Sequence, residues 1–303
     1  MAGRLTIEAE LVRRLVDSQF PDWADQPVRP VERNGWDNTT FRLGEDKKVR
    51  LPTAASYVPQ VEKEWRFLPV LASHLPLPIP APLALGRPAE GYPYPWSVYR
   101  WIDGEPVLFA QLADPCGFAA DLAQFLLALQ RAPVEGPAAG VDNFHRGGAL
   151  SVYDAETRRC LDQLASEIDA AAAGRVWEAA LATQWQRPPV WVHGDIAVGN
   201  LLLREGRLSA VIDFGSSAVG DPACDLVIAW TFLRGESRAA FKAKLAAQAG
   251  FDQGIWARAR GWALWKALLV CCGHGSTPPT ERPAREVIAT VLDEHAGSAS
   301  EAT

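Results

Sequence analysis

Three polar residues stand at fixed intervals in one stretch of the chain: Asp195, Asn200 and Asp213, in PVWVHGDIAVGNLLLREGRLSAVIDFG. Two carboxylates and an amide oxygen are hard donors. Such a set suits Mg2+, which takes few protein ligands, keeps some waters and completes its shell with phosphate oxygens. One carboxylate is then left to accept a proton from a hydroxyl. Each residue alone is unremarkable, since Asp and Asn are common in turns and caps. Their order and spacing, together with the elements around them, carry the reading.

Those elements can be read from the apolar runs that flank the polar residues. Val190-Trp191-Val192, Leu201-Leu202-Leu203 and Leu208 to Ile212 are short apolar runs bounded by Gly and charged residues, and they read as buried strands. Glu205-Gly206 separates the second from the third as a tight hairpin turn. The polar groups therefore fall where strands end, on loops held by rigid supports.

HGD-x4-N, then IDFG, then GDPACDL, from His193 to Leu226, resembles the aminoglycoside phosphotransferase family of small-molecule kinases. Protein kinases carry HRD where this chain has Gly194. The resemblance implies an α+β, protein-kinase-like bilobal fold. Residues 1–103 would form a small nucleotide-binding lobe with an antiparallel sheet and a helix, and residues 104–303 a larger, mainly helical lobe. It also implies ATP-dependent transfer of a phosphoryl group to a hydroxyl of a small molecule, with ATP between the lobes. Asn200 and Asp213 would hold Mg2+, and Asp195 would be the catalytic base.

The same resemblance assigns residues upstream. Val28 to Glu32, Thr39 to Leu43 and Lys47 to Leu51 read as three antiparallel strands, after an amphipathic helix from Ile7 to Gln19. The polar loop Asn34 to Asn38, with a single Gly, would cover the nucleotide phosphates and bring Asn38 to them. A strand cation should meet the phosphates. Lys is common there in the family; here the strand offers Arg50, with Lys48 on the same face as the alternative. A helix from Gln60 to Leu68, with Val61, Trp65 and Leu68 as its apolar stripe, would present Glu64, or else Glu62, to that cation. Pro76, Pro78, Pro80 and Pro82 exclude helix and read as extended chain. Val98 to Ile102 alternates and reads as a strand, the hinge by position, whose backbone at Arg100 and Ile102 would pair with adenine.

From Leu112 the pattern turns helical. Helices are expected over Phe118–Gln130, Asp154–Ile168, Val176–Trp185, Asp221–Leu233, Arg238–Gln248 and Gln253–Val270, with a loop over Val134–Leu150 and a disordered tail over Gly297–Thr303. Asp221-Pro222 is a strong helix start, Asp225 should face back to the catalytic loop, and His193 should hold that loop from a buried position. The acceptor is open. Asp154, Glu156, Asp162 and Glu236 could meet a cationic antibiotic such as an aminoglycoside; Trp230, Trp256, Trp262 and Trp265 suit an apolar acceptor or simply fill the core. A sugar or amino alcohol is equally an acceptor for this fold. A catalytically silent ATP-binding module is the alternative from another class. The unusual strand cation and single-Gly loop favour it, and the intact Asp195, Asn200 and Asp213 oppose it.

Composition narrows the setting. The 303 residues are 48% hydrophobic and 22% charged, enough for a substantial core. Net charge is −6 with no basic run, which argues against nucleic acid as a partner. No apolar run is long enough to span a membrane, and the N-terminal stretch lacks the pattern of a signal peptide. Five scattered cysteines fit reduced thiols and a cytoplasmic protein, and Cys271-Cys272-Gly-His274 lacks the second ligand pair of a metal site.

Overall fold

The computed structural model describes residues 4–32, 34–107, 112–249, 251, 254–275, 277 and 281–300. The chain divides into two compact units, Met1–Asp103 with Val211–Gly215, and Gly104–Ala210 with Ser216–Thr303.

In the first unit, α1 (Ala9–Gln19) is followed by β1 (Val28–Pro30), β2 (Asn38–Leu43), β3 (Lys47–Pro52), α2 (Val58–Ala72), β4 (Pro82–Gly86) and β5 (Trp96–Arg100). The strands form one antiparallel sheet in the order β1-β2-β3-β5-β4. Side chains alternate across a strand, so Phe41, Leu43, Val49 and Leu51 face one side. There they join Val12, Leu15 and Val16 of α1, with Trp96 and Val98, in a single apolar core. Burying each such side chain contributes about 2 kcal/mol. The opposite face of β3 is left to Lys48 and Arg50.

Several expectations shift here. The strand expected over Val98–Ile102 is Trp96–Arg100, buried from Trp96 through Tyr99. It lies inside the sheet and is covered on both faces, so it does not alternate. Ile102 therefore lies beyond it. The proline segment ends in β4, an edge strand, where a missing N–H is tolerated. On α2 the buried side chains are Gln60, Val61, Glu64, Leu68 and Leu71. Trp65 lies off that arc and is exposed, contrary to the stripe expected.

In the second unit the order is β6 (Glu105–Pro106), α3 (Pro115–Arg131), α4 (Asp154–Gln163), α5 (Ala170–Leu181), β7 (Val190–Val192), β8 (Leu201–Arg204), β9 (Arg207–Val211), β10 (Ala218–Gly220), α6 (Ile228–Thr231), α7 (Gly235–Ala249), α8 (Ile255–Cys271) and α9 (Ala284–Ser300). The Asp114 side chain caps α3 by accepting the Cys116 N–H, with Pro115 at the first helical position. The β8–β9 hairpin turns on Glu205 and Gly206, both left-handed at φ 54° and 73°, as a two-residue hairpin turn demands. β6, β8 and β9 form one small sheet, and β7 pairs with β10.

Helix ends differ from expectation in several places. The helix expected from Asp154 stops at Gln163, and the one expected over Val176–Trp185 is α5, started by the Asp169 cap on the Ala172 N–H. Asp221–Leu233 is not one helix but a 3₁₀ turn, Pro222–Leu226, followed by α6. α8 begins at Ile255; the expected start at Gln253 lies outside the described residues. The tail expected over Gly297–Thr303 is helical through Ser300 as the end of α9, and Glu301–Thr303 lie outside the described residues. Val134–Leu150 is irregular apart from a single parallel bridge of Ala138 to Val219, the 3₁₀ turn Val141–Asn143 and the start of a 3₁₀ turn at Leu150. Among the described residues no helix is long and apolar enough to cross a membrane.

Candidate active site

Arg50 is the hub of the first unit. It sits on β3, between Thr40 of β2 and Ser97 of β5. Its Nη1 donates to both carboxylate oxygens of Glu64 at 3.1 Å, and its Nη2 donates to Oδ1 of Asp213 at 2.9 Å. The Tyr99 hydroxyl donates to Oε2 of the same Glu64. Burial alone would lower the Arg50 pKa; Glu64 and Asp213 outweigh it and hold the guanidinium above its ordinary range. Burial and Glu64 likewise push the Tyr99 phenol well up. Of the two alternatives raised by sequence, then, Arg50 holds both carboxylates. Lys48 lies along the same face, its Nζ 5.9 Å from the Tyr99 ring centroid, and burial followed by Arg50 brings its pKa down to about 8. Glu62 is exposed and Glu64 buried.

Asp213 adopts φ 65°, a left-handed conformation uncommon outside Gly and Asn, and its side chain is 44% exposed. Lys63 of α2 donates to the Gly215 carbonyl at 2.6 Å, which ties the Asp213 turn to the same helix that carries Glu64. At the start of β2, the Asn38 amide donates to Oε1 of Gln60 at 3.4 Å, and Gln60 donates to Oδ2 of Asp37 at 2.7 Å. The loop preceding β2 is thus bonded to the buried face of α2. Sequence reading missed Gln60 and Tyr99. Gln60 had a signal, since it stands four residues before Glu64 on the same helical face; Tyr99 had none. At the end of β5 the Arg100 N–H donates to Ala81 at 2.9 Å and the Trp101 N–H to Asp46 at 2.7 Å.

In the second unit, β7 delivers His193-Gly194-Asp195. Asp225 is buried and accepts the backbone N–H groups of His193 and Gly194, each at 2.7 Å. Burial raises its pKa, against the opposing pull of His193 and those two N–H groups. His193 is fully buried, and its Nδ1 accepts the Asp195 N–H at 3.2 Å. Asp195 is exposed. The Asn200 amide donates to both the backbone oxygen and Oδ2 of Asp195 at 2.9 Å, which pins the two ends of the loop together. Asp221 accepts the Ala223 N–H at 3.0 Å and forms a buried ion pair with Arg258, Nε to Oδ2 2.6 Å.

Glu281 approaches the same loop and left no trace in the sequence, because it lies more than eighty residues further on. It is buried, accepts the Val198 N–H at 3.5 Å and stands 3.8 Å from Lys266. The carboxylates considered for an acceptor are partly committed elsewhere. Asp154 binds Arg158 and the Trp177 indole, and Glu156 accepts the Trp265 indole N–H at 2.8 Å; Asp162 and Glu236 are exposed. Trp230, Trp262 and Trp265 are core residues.

Against known proteins, an aminoglycoside 3′-phosphotransferase of Escherichia coli is 34% identical over 91 residues, so the match spans 30% of this chain and only 33% of that relative. Among solved structures, an aminoglycoside 2′-phosphotransferase-IIIa in its GDP complex superimposes with a TM-score of 0.66 at 18% identity, over 95% of this chain and 100% of that one. A macrolide 2′-phosphotransferase from Brachybacterium faecium, as apoenzyme, gives 0.58 at 22%, over 94% and 97%. These likenesses show the fold. The model of the phosphotransferase enzyme family matches residues 28–262, well over half of the 303, and on that match the chain belongs to this family.

Proposed function

We propose that the protein transfers the γ-phosphoryl group of ATP to a hydroxyl of a small molecule. The observation that carries this reading is Arg50, a buried cation held by Glu64 and Asp213 at once, in a chain that also keeps Asp195 and Asn200 in one pinned loop. Family membership supports it, and the GDP bound by a structural neighbour fits a nucleotide substrate.

In this reading Arg50 meets the phosphates and the Asn34–Asn38 loop lies over them. The Arg100 N–H is already engaged, so the backbone at Ile102 supplies the donor to the base. Mg2+ fits the donors present. The Asp213 carboxylate is partly exposed, and the Asn200 amide nitrogen is spent on Asp195, which leaves its oxygen for a hard cation. When bound, Mg2+ neutralises charge on the phosphate oxygens. Asp195 orients the acceptor hydroxyl and takes its proton, and Asn200 fixes that carboxylate in place.

Mg2+-dependent ATP consumption is measured against hydroxylated acceptors, with aminoglycosides, macrolides, sugars and amino alcohols in the panel and Asp195→Asn beside the wild type. Turnover that falls by about a hundredfold or more in the variant, with ATP affinity kept, supports the assignment. Turnover retained in Asp195→Asn overturns it. Nucleotide binding with no turnover on any acceptor would favour a silent binding module.

A further inference from the structure

Arginines gather at one place in the helical unit. Arg282 donates its amide N–H to the Thr231 carbonyl at 2.7 Å, which sets it against the last residue of α6. Arg238 donates its amide N–H to the Arg234 carbonyl at 3.3 Å, so these two stand one turn apart where α7 begins. Burial, then the charges of Arg234 and Arg238, hold the Arg282 pKa below its ordinary value. Opposite charge is sparse: Glu286 lies 3.7 Å from Nε of Arg282, and Glu236 is exposed. Nη1 of Arg238 and Oγ1 of Thr231, whose residue is 4% exposed, are closed off from solvent without a hydrogen-bond partner, and Nε of Arg282, also closed off, has the Glu286 carboxylate no nearer than 3.7 Å.

Buried donors without acceptors are costly, and so are like charges held together. A single anion with two or more oxygens, met by the parts of these guanidinium groups that solvent reaches, relieves the repulsion, and planar guanidinium groups match carboxylate and phosphate geometry. The cluster is one residue along the chain from a contact with the Asp195–Asn200 loop. Glu281, the chain neighbour of Arg282, is the residue that accepts the Val198 N–H between Asp195 and Asn200.

We propose that Arg234, Arg238 and Arg282, with Thr231, bind a carboxylate or phosphate group of the acceptor, so that the enzyme selects an acid-bearing alcohol over a polycationic sugar. The acceptor part of this inference rests on the phosphotransferase reading; the anion site does not.

Two measurements on the full chain test it. Inorganic phosphate is titrated by calorimetry with ADP and Mg2+ saturating the nucleotide site, in the wild type, Arg282→Gln and Arg234→Gln. Arg234 is exposed, so its variant reports even where Arg282→Gln folds poorly. Binding weakened about tenfold or more is expected; no phosphate binding to the wild type, unchanged affinity in the variants, or an adventitious ion only overturns the site. Turnover is then compared for matched acceptors, glycerate with glycerol and gluconate with glucose, alongside kanamycin. The acid of each pair should show a KM about tenfold lower, an advantage that Arg282→Gln removes while the neutral partner's KM stays put. Equal KM values, or preference for kanamycin, overturn the acceptor assignment. Phosphate binding through these arginines together with equal KM values would mark a free-anion effector site, again against the acceptor. If ADP does not bind and nothing is turned over, the phosphotransferase reading fails, and the phosphate titration still decides the anion site.

Discussion

Arg50 and Glu64 are joined by one nitrogen and two oxygens: Nη1 of Arg50 lies 3.1 Å from each carboxylate oxygen of Glu64, and both side chains are buried. Because one nitrogen satisfies Glu64, the other is free to reach Asp213. A lysine, with a single ammonium, could not hold two carboxylates with the same planar geometry. Arg50, where the resemblance led to an expectation of lysine, thus keeps a cation on the strand and binds a second carboxylate with it.

Removing that cation strands a carboxylate. Arg50→Gln should destabilise the fold by about 3 kcal/mol in urea denaturation at neutral pH, because Glu64 is left buried with the Tyr99 hydroxyl but without its paired guanidinium. Adding Glu64→Gln should recover part of the loss, since the double variant no longer buries an unpaired charge. Additive losses in the two single variants would show that the pair is not coupled. Arg50→Lys should keep most of the stability and weaken ATP binding about tenfold.

Lys48 makes the pH dependence testable. Its folded pKa of about 8 lies below the 10.5 of an ordinary lysine, because burial and Arg50 disfavour the charged form. Between those values the unfolded chain keeps a proton that the folded chain has lost, so this group's contribution to stability rises with pH across that window. Below pH 8 both states are charged and the burial penalty stands in full. Lys48→Met should accordingly be more stable than wild type at pH 7, with the advantage shrinking by pH 9.5. A stability difference that does not change with pH would rule out the shifted lysine.

What the sequence made legible and what it hid have physical reasons. The strands that frame Asp195, Asn200 and Asp213 are legible because they are short apolar runs bounded by Gly and charge, and the β8–β9 turn because Gly206 stands between two of them. Arg50 and Glu64 were found through the family pattern and then joined in space. Trp96–Arg100 was misplaced because a strand buried on both faces loses its alternation. α9 escaped notice because its buried residues, Val287, Ile288 and Val291, are few and its ends are polar. Glu281 and the Arg234–Arg238–Arg282 group depend on contacts far apart in sequence, which no local pattern records.

Gly194 explains one letter of the HGD motif. It adopts φ 82°, and a Cβ there would stand 2.4 Å from the Ser216 carbonyl oxygen and 3.0 Å from Cβ of Arg146. A left-handed residue with a side chain costs about 1–2 kcal/mol, and a backbone oxygen cannot move aside cheaply. Gly194→Ala should therefore lose about 3 kcal/mol of stability in denaturation and lower turnover as the Asp195 loop is displaced. A variant as stable and as active as wild type would show that this loop has another conformation available to it.

Glu281 bears on the same loop from the other side, and its titration has a definite sign. Burial raises its pKa above the ordinary 4.5, opposed by Lys266 and the Val198 N–H and reinforced by Asp195. As pH rises from 4.5, the unfolded chain loses this proton before the folded chain does, so the group's contribution to stability falls through that window. Glu281→Gln keeps an oxygen to accept the Val198 N–H and has no charge to bury. The wild type should thus lose stability relative to the variant between pH 4.5 and pH 7.5, read as the difference in denaturation midpoints. The other buried carboxylates, Asp225 among them, titrate in both proteins and cancel in that difference. A difference that moves the opposite way would mean that Lys266, at 3.8 Å, outweighs burial and that Glu281 serves the loop as a stabilised carboxylate.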